Sequence, residues 1–177
     1  MRLTPSESQT IAGLARESFG PQTRVFLFGS RTDDAARGGD IDLYIETTLD
    51  TPAALRAVFD SSTGFLLANG AVRSPDAAWV ARARWEALTP EKRAQFAPLC
   101  PDFVAELVSP GDDLSMLRAK LVEYLGNGAR LGWLLDPGDG RVEVYRPGVE
   151  PEVLDRPAHL TGEAVLPGLV VDLAEIL

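Results

Sequence analysis

The sequence predicts a mixed α/β fold, a central mixed sheet flanked by helices with a helix and two strands ahead of it. Three observations carry this. Hydrophobic residues make up 45% and charged residues 24% of the 177 positions, the balance of an ordinary globular chain. Short apolar runs bounded by Gly, Pro, Asn and Asp recur along the chain, as strands with turns between them do. Elsewhere apolar residues return every three or four positions, the period of a helix with one buried face.

Taken in order, Thr4-Pro5-Ser6-Glu7 starts a helix, with Thr4 as N-cap and Pro5 at the first helical position, where its missing N–H is no loss. Ile11, Leu14, Ala15 and Phe19 keep helical spacing until Gly20-Pro21. Residues 25–28 read as a buried strand, 31–39 as a polar loop and 41–45 as the next strand. Asp50-Thr51-Pro52 opens a short helix through Phe59. At the turn Asp60-Ser61-Ser62-Thr63 the character of the chain changes, which divides it into segments 1–58 and 59–177. Residues 65–67 and 77–80 are expected to form a hairpin around Asn69-Gly70, because Asn-Gly tolerates the positive φ of a tight hairpin turn. Residues 84–88 form a short helix, and Thr89-Pro90-Glu91 starts another. Residues 103–108 are an apolar strand interrupted by one acid, Glu106. Asp112 or Asp113 caps a helix whose Leu114, Leu117, Leu121 and Leu125 form one stripe, and Gly126-Asn127-Gly128 stops it. Residues 131–135 and 141–146 are the closing strands, and a tail with Pro157, Pro167 and Gly168 covers the sheet edge. Trp79, Trp85 and Trp133 belong to the core or its rim.

Charge and cysteine content narrow the function. The net charge is −9, from 17 basic and 26 acidic residues, the wrong sign for nonspecific affinity to nucleic acid. DNA contact must therefore rely on a local patch, for which Arg73, Arg82, Arg84, Lys92 and Arg93 are the candidates. The longest apolar stretches are too short to span a bilayer, and no signal-peptide pattern opens the chain. One cysteine, Cys100, excludes an internal disulfide and fits a cytoplasmic location; it reads as a small buried residue. His159 reads as a surface residue in a loop.

Two constellations carry chemistry. In the first, Gly29-Ser30 ends a strand, so backbone N–H groups and the Ser30 hydroxyl can meet a phosphate oxygen. Asp40 and Asp42 lie two apart on the next strand and share a face, where their charges repel unless a hard cation such as Mg²⁺ stands between them. The pattern Gly-Ser-Arg, then Asp-Ile-Asp-Leu, resembles the minimal nucleotidyltransferase superfamily over residues 4–58. That resemblance implies a nucleoside triphosphate bound at Gly29 and Ser30, metal on Asp40 and Asp42, and a third acid further on that the segment does not reach.

In the second, Asp76 opens one strand and Glu106 sits among Phe103, Val104, Leu107 and Val108, where an acid is costly unless paired or metal-bound. Lys120 borders the leucine stripe of the following helix and can reach the same place. Two carboxylates holding Mg²⁺ or Mn²⁺, with an ammonium to orient water or offset phosphate charge, suit phosphodiester hydrolysis. Without a metal, Glu106 would be a partly exposed edge residue paired to Lys120 or Arg118. The strings SPDAAWV, LTPE, PLCPDFVAEL, Lys120 with Tyr124, NGARLGWLLDP and VEVYRPG resemble the Uma-type restriction endonucleases of the PD-(D/E)XK superfamily, over residues 59–177. The resemblance implies a restriction-endonuclease-like sheet, DNA as partner, a homodimer, and Asp76 and Glu106 as metal ligands. Val108 occupies the position of that family's lysine, so Lys120 would take its role. The family's own front end is replaced here by the transferase-like segment. The primary expectation is a metal-dependent DNA endonuclease; the alternatives are a nucleotidyltransferase or an inactive hybrid of both.

Overall fold

The computed structural model describes the backbone of residues 24–28, 42–46 and 56–60, and residues 63–177 in full apart from 94 and 175. The helix expected over the first twenty residues, and with it Gly29, Ser30 and Asp40, lies outside the described residues.

Strands β1 (Arg24–Phe28) and β2 (Asp42–Glu46) form an antiparallel ladder with Phe28 opposite Asp42. β3 (Arg56–Asp60) corrects the end of the helix expected from Asp50 through Phe59: residues 56–60 are a strand, antiparallel to β6 (Ala77–Ala81), while residues 50–55 lie outside the described residues. A five-residue run is too short to hold a helix by itself, whereas the open edge of β6 satisfies its backbone groups at once.

β4 (Phe65–Leu66) and β5 (Val72–Arg73) form a second hairpin. Asn69-Gly70 does turn it, with Gly70 at φ +86° and Leu67 N donating to Ala71 O at 2.8 Å, but the partner of residues 65–66 is 72–73, not 77–80. The tight turn brings the chain back within five residues, and Pro75, having no N–H to give a ladder, separates β5 from β6. Two short helices follow, α1 (Arg82–Glu86) and α2 (Pro90–Arg93). Then come β7 (Phe103–Leu107), α3 (Leu114–Gly126), β8 (Leu131–Asp136), β9 (Arg141–Tyr145), β10 (Glu152–Asp155), and a closing hairpin of β11 (His159–Thr161) and β12 (Val170–Asp172).

The central sheet runs β10-β9-β8-β7-β6-β3. Only its β7–β8 pair is parallel, because α3 carries the chain across one face between them; the others are antiparallel, so the sheet is mixed. Strand alternation gives the sheet two apolar faces. One packs Val80, Val104 and Leu134 against Leu121 and Tyr124 of α3 and against Phe65; Cys100 is buried there and Trp85 packs at its margin. The other gathers Trp79, Phe103, Trp133, Val142 and Val144 under Leu160 and Leu173 of the tail, with Phe103 and Trp133 edge-to-face at 4.8 Å. The tail thus covers a face, and β10 supplies the edge strand. His159 is exposed, in β11 rather than in a loop.

Asp113 caps α3, accepting from Ser115 N at 2.8 Å, and Gly128 beyond its end has φ +109°. The leucine stripe is the inward face: Leu121 is buried, and Leu114, Leu117 and Leu125 pack on the same core. α3 comes close to β8 at Gly132, where a Cβ would stand 2.6 Å from Leu121 Cδ1. Its far end is held by the β4–β5 hairpin: Glu123 accepts from Asn69 Nδ2 at 2.8 Å and pairs with Arg73, while Asn127 Oδ1 accepts from Asn69 N at 3.0 Å. Among the described residues no helix is long and apolar enough to cross a membrane.

Candidate functional site

The β6–β7 register pairs Ala77 with Ala105, so one step further Asp76 stands opposite Glu106. Glu106 pairs with Leu134 across β7–β8, and Leu134 with Glu143 across β8–β9. Residues directly opposite on neighbouring strands project to the same side. Asp76, Glu106, Leu134 and Glu143 therefore form one row across four strands, on the face that α3 covers. α3 sets a cation over two of the three acids: Lys120 over Glu106 and Arg118 over Glu143.

Glu106 is the centre of the row. It is only 2% exposed, in a central strand, which corrects the picture of a partly exposed edge residue. Lys120 Nζ stands 2.8 Å from both carboxylate oxygens but makes an aligned hydrogen bond only to Oε2; Oε1 has the ammonium's charge without such a bond. Nζ also donates to Ser74 O at 3.1 Å. Burial pushes the Glu106 carboxyl up to about 7; the bond and charge of Lys120 and the Tyr124 hydroxyl oppose that rise, and the Asp76 charge adds to it. Asp76 is exposed at the open end of the row, with Oδ2 accepting from Leu107 N at 2.7 Å. That bond ties the loop before β6 to the end of β7 and fixes the carboxylate beside Glu106.

The structure thus brings together Asp76, Glu106 and Lys120. Of the transferase-like residues, Asp42 opens β2, its side chain outside the description, and Gly29, Ser30 and Asp40 lie outside the described residues. Among the described residues no group of three or more His, Cys, Asp or Glu side chains could hold a metal ion, so the two carboxylates stand without a third. Arg118, weighed as a partner for Glu106, belongs instead to Glu143, at 2.6 Å through Nη2. Burial raises the Glu143 carboxyl, but the Arg118 and Tyr145 bonds together outweigh it and hold the group below its ordinary value. Beside this pair a cleft of about 60 Å³ opens between α3 and the β8–β9 hairpin, reaching Asp136, Asp139 and Arg141.

The arginine patch is largely engaged within the protein. Arg73 pairs with Glu123, Arg82 with Glu86, Arg84 with the buried Asp102, and Arg93 donates to Leu88 O. Asp102 is a structural anchor that the sequence reading passed over. Its Oδ2 accepts from Ala81 N at 2.8 Å and its carbonyl from Arg130 N and Leu131 N, joining β6, α1 and the start of β8. Tyr124 was also passed over as a site residue, although it lies four positions after Lys120 and hence on the same side of α3. The Ser74 carbonyl had no sequence signal, since its place depends on how the chain leaves β5.

Among curated proteins none matches this chain. The fold is similar to that of a crystal structure described as "a putative nuclease belonging to DUF820 from Anabaena variabilis ATCC 29413", with TM-score 0.58 and 23% identity over 69% of this chain and 68% of that one. The Uma2 family, described as "Putative restriction endonuclease", matches residues 30–174; its match opens at Ser30, within the stretch read as transferase-like. Most of the chain, with the whole Asp76, Glu106 and Lys120 cluster, lies inside that match, and the protein belongs to the Uma2 family of PD-(D/E)XK-like proteins.

Proposed function

We propose that the protein is a Mg²⁺- or Mn²⁺-dependent endonuclease that hydrolyses phosphodiester bonds in DNA, with Asp76, Glu106 and Lys120 as its working residues. The observation that carries this reading is the buried Glu106, with Lys120 on it and Asp76 directly across the strand pair. The donor set fits the cation. Both carboxylates are hard oxygen ligands, Glu106 Oε1 is buried without an aligned hydrogen-bond donor among the described residues, and Mg²⁺ is commonly held by one or two carboxylates with water and phosphate completing its shell. When bound, the cation supplies positive charge against the phosphate and a bound water of lowered pKa. Asp76 and Glu106 would hold it, and the tie from Leu107 N keeps Asp76 from turning away. Lys120, 24% exposed at its side chain, is free to leave Glu106 and meet the developing phosphate charge. Family membership and a buried free Cys100 also support a cytoplasmic enzyme acting on DNA, and light scattering would read whether it is a homodimer.

The test is cleavage of supercoiled plasmid with Mg²⁺ or Mn²⁺. Glu106→Ala and Lys120→Met are each expected to lower the rate by at least about 100-fold, the scale of a lost general acid–base or charge-stabilising group. Cleavage by Glu106→Ala at the wild-type rate would sink the reading, and no cleavage by wild type on any DNA would favour the inactive hybrid.

A second reading rests on the β1–β2 register, which sets Asp42 across from Phe28, the residue just before Gly29. In it Gly29 and Ser30 take a nucleoside triphosphate, and Asp40 and Asp42 the cation. Incubation with labelled nucleoside triphosphates and Mg²⁺ decides it, since the absence of any labelled product removes it.

A further inference from the structure

Tyr124 is wholly buried, one turn beyond Lys120 on α3, and its hydroxyl has no aligned hydrogen-bond partner among the described residues, though it lies near enough to Glu106 to lower that carboxyl. A buried hydroxyl without a partner costs about 1–3 kcal/mol, and phenylalanine would fill the same space without that penalty. Packing alone therefore does not account for the oxygen. Among the described residues the other buried side-chain oxygen without an aligned hydrogen bond is Glu106 Oε1, and the two groups act on each other across the same core.

The need for such a neighbour follows from the proposed reaction. Lys120 is the group bonded to the Glu106 carboxylate, and the nuclease reading, on which this inference rests, moves Lys120 to the substrate. Once the ammonium leaves, a carboxylate 2% exposed needs another donor to hold it in one orientation. Groups that orient a metal's ligands typically change metal affinity by 10–100-fold when removed. We propose that Tyr124 is a positioning residue: its hydroxyl takes over the inner oxygen of Glu106, directly or through one buried water, and fixes the carboxylate toward the divalent cation. It touches neither substrate nor cation, and acts through Glu106.

The test is titration calorimetry of Mn²⁺ into the full chain, for wild type, Tyr124→Phe and Glu106→Gln, with thermal melts of each in the absence of metal. Tyr124→Phe is expected to melt at or above the wild-type temperature while binding Mn²⁺ at least about 10-fold more weakly, and Glu106→Gln to lose binding. If Tyr124→Phe binds Mn²⁺ as wild type does while Glu106→Gln does not, the positioning role is overturned and the nuclease reading stands. If Tyr124→Phe melts well below wild type, the hydroxyl serves the core and the inference falls on that ground. If wild type binds no Mn²⁺, or Glu106→Gln binds it unchanged, the metal site itself is wrong and the inference goes with it.

Discussion

At Glu106 burial and pairing act against each other, and burial wins. Its carboxyl is pushed up from an ordinary 4.5 to about 7, so the folded protein keeps a proton that the unfolded chain has released. The stability this group contributes is full below 4.5 and is lost as pH rises to about 7. Denaturant titrations of wild type are therefore expected to show a component that falls across that window and is absent from Glu106→Gln. Equal slopes in the two proteins would refute it. Glu123 and Glu143 are held below their ordinary values, and their contribution changes at lower pH, with the opposite sign. At this scale the sequence was informative. A lone acid in an apolar strand had to be paired or metal-bound, and Lys120 on the border of a leucine stripe was within reach. What the sequence did not disclose is depth. The alternation of β7 is the same whether it lies at the edge or the centre of a sheet, and only the flanking strands decide between an exposed and a buried carboxylate.

Among the elements, α3 does most to build the site, because it carries Lys120, Tyr124 and Arg118 together. Its boundaries were legible from Asp113 and Gly126-Asn127-Gly128, and its buried face from the leucines. Its closeness to the sheet depends on Gly132, which the sequence marked only as a residue within a strand. Gly132→Ala would drive a methyl to 2.6 Å from Leu121 Cδ1 inside a filled core. Overpacking of this kind costs about 1–3 kcal/mol. The variant is expected to unfold at correspondingly lower denaturant and to lose more DNA cleavage than that deficit explains, because α3 and its lysine are displaced. Wild-type stability and activity would show that Leu121 has room to yield. The helical reading of residues 56–59 and the 77–80 hairpin partner failed for a common reason. Local turn and propensity signals state that the chain reverses or extends, but long-range pairing decides with what.

For the whole molecule, charge is the governing quantity. The chain carries −9 overall, and Arg73, Arg82, Arg84 and Arg93 of its best basic patch already donate to oxygens of the protein. With four of the five cations of that patch engaged, the affinity it supplies should depend weakly on salt, with a logarithmic slope of about −3 or shallower. Fluorescence anisotropy of labelled duplex with Ca²⁺, from low to moderate salt, reads this directly; a slope near about −8 would mean that the patch breaks its internal bonds to meet phosphate. The mixed architecture was legible because five of the six central strands follow Gly64, where turn signals are dense. The front of the chain was harder, and β3, its contribution to the central sheet, sits at the outer edge. That placement has an evolutionary consequence. Asp76, Glu106, Lys120 and Tyr124 all come from later elements, so under the proposed reading sequence change ahead of them is tolerated wherever residues 56–60 still pair with β6. Selection on the proposed chemistry then falls on the later elements directly, and on the leading segment only through that one strand.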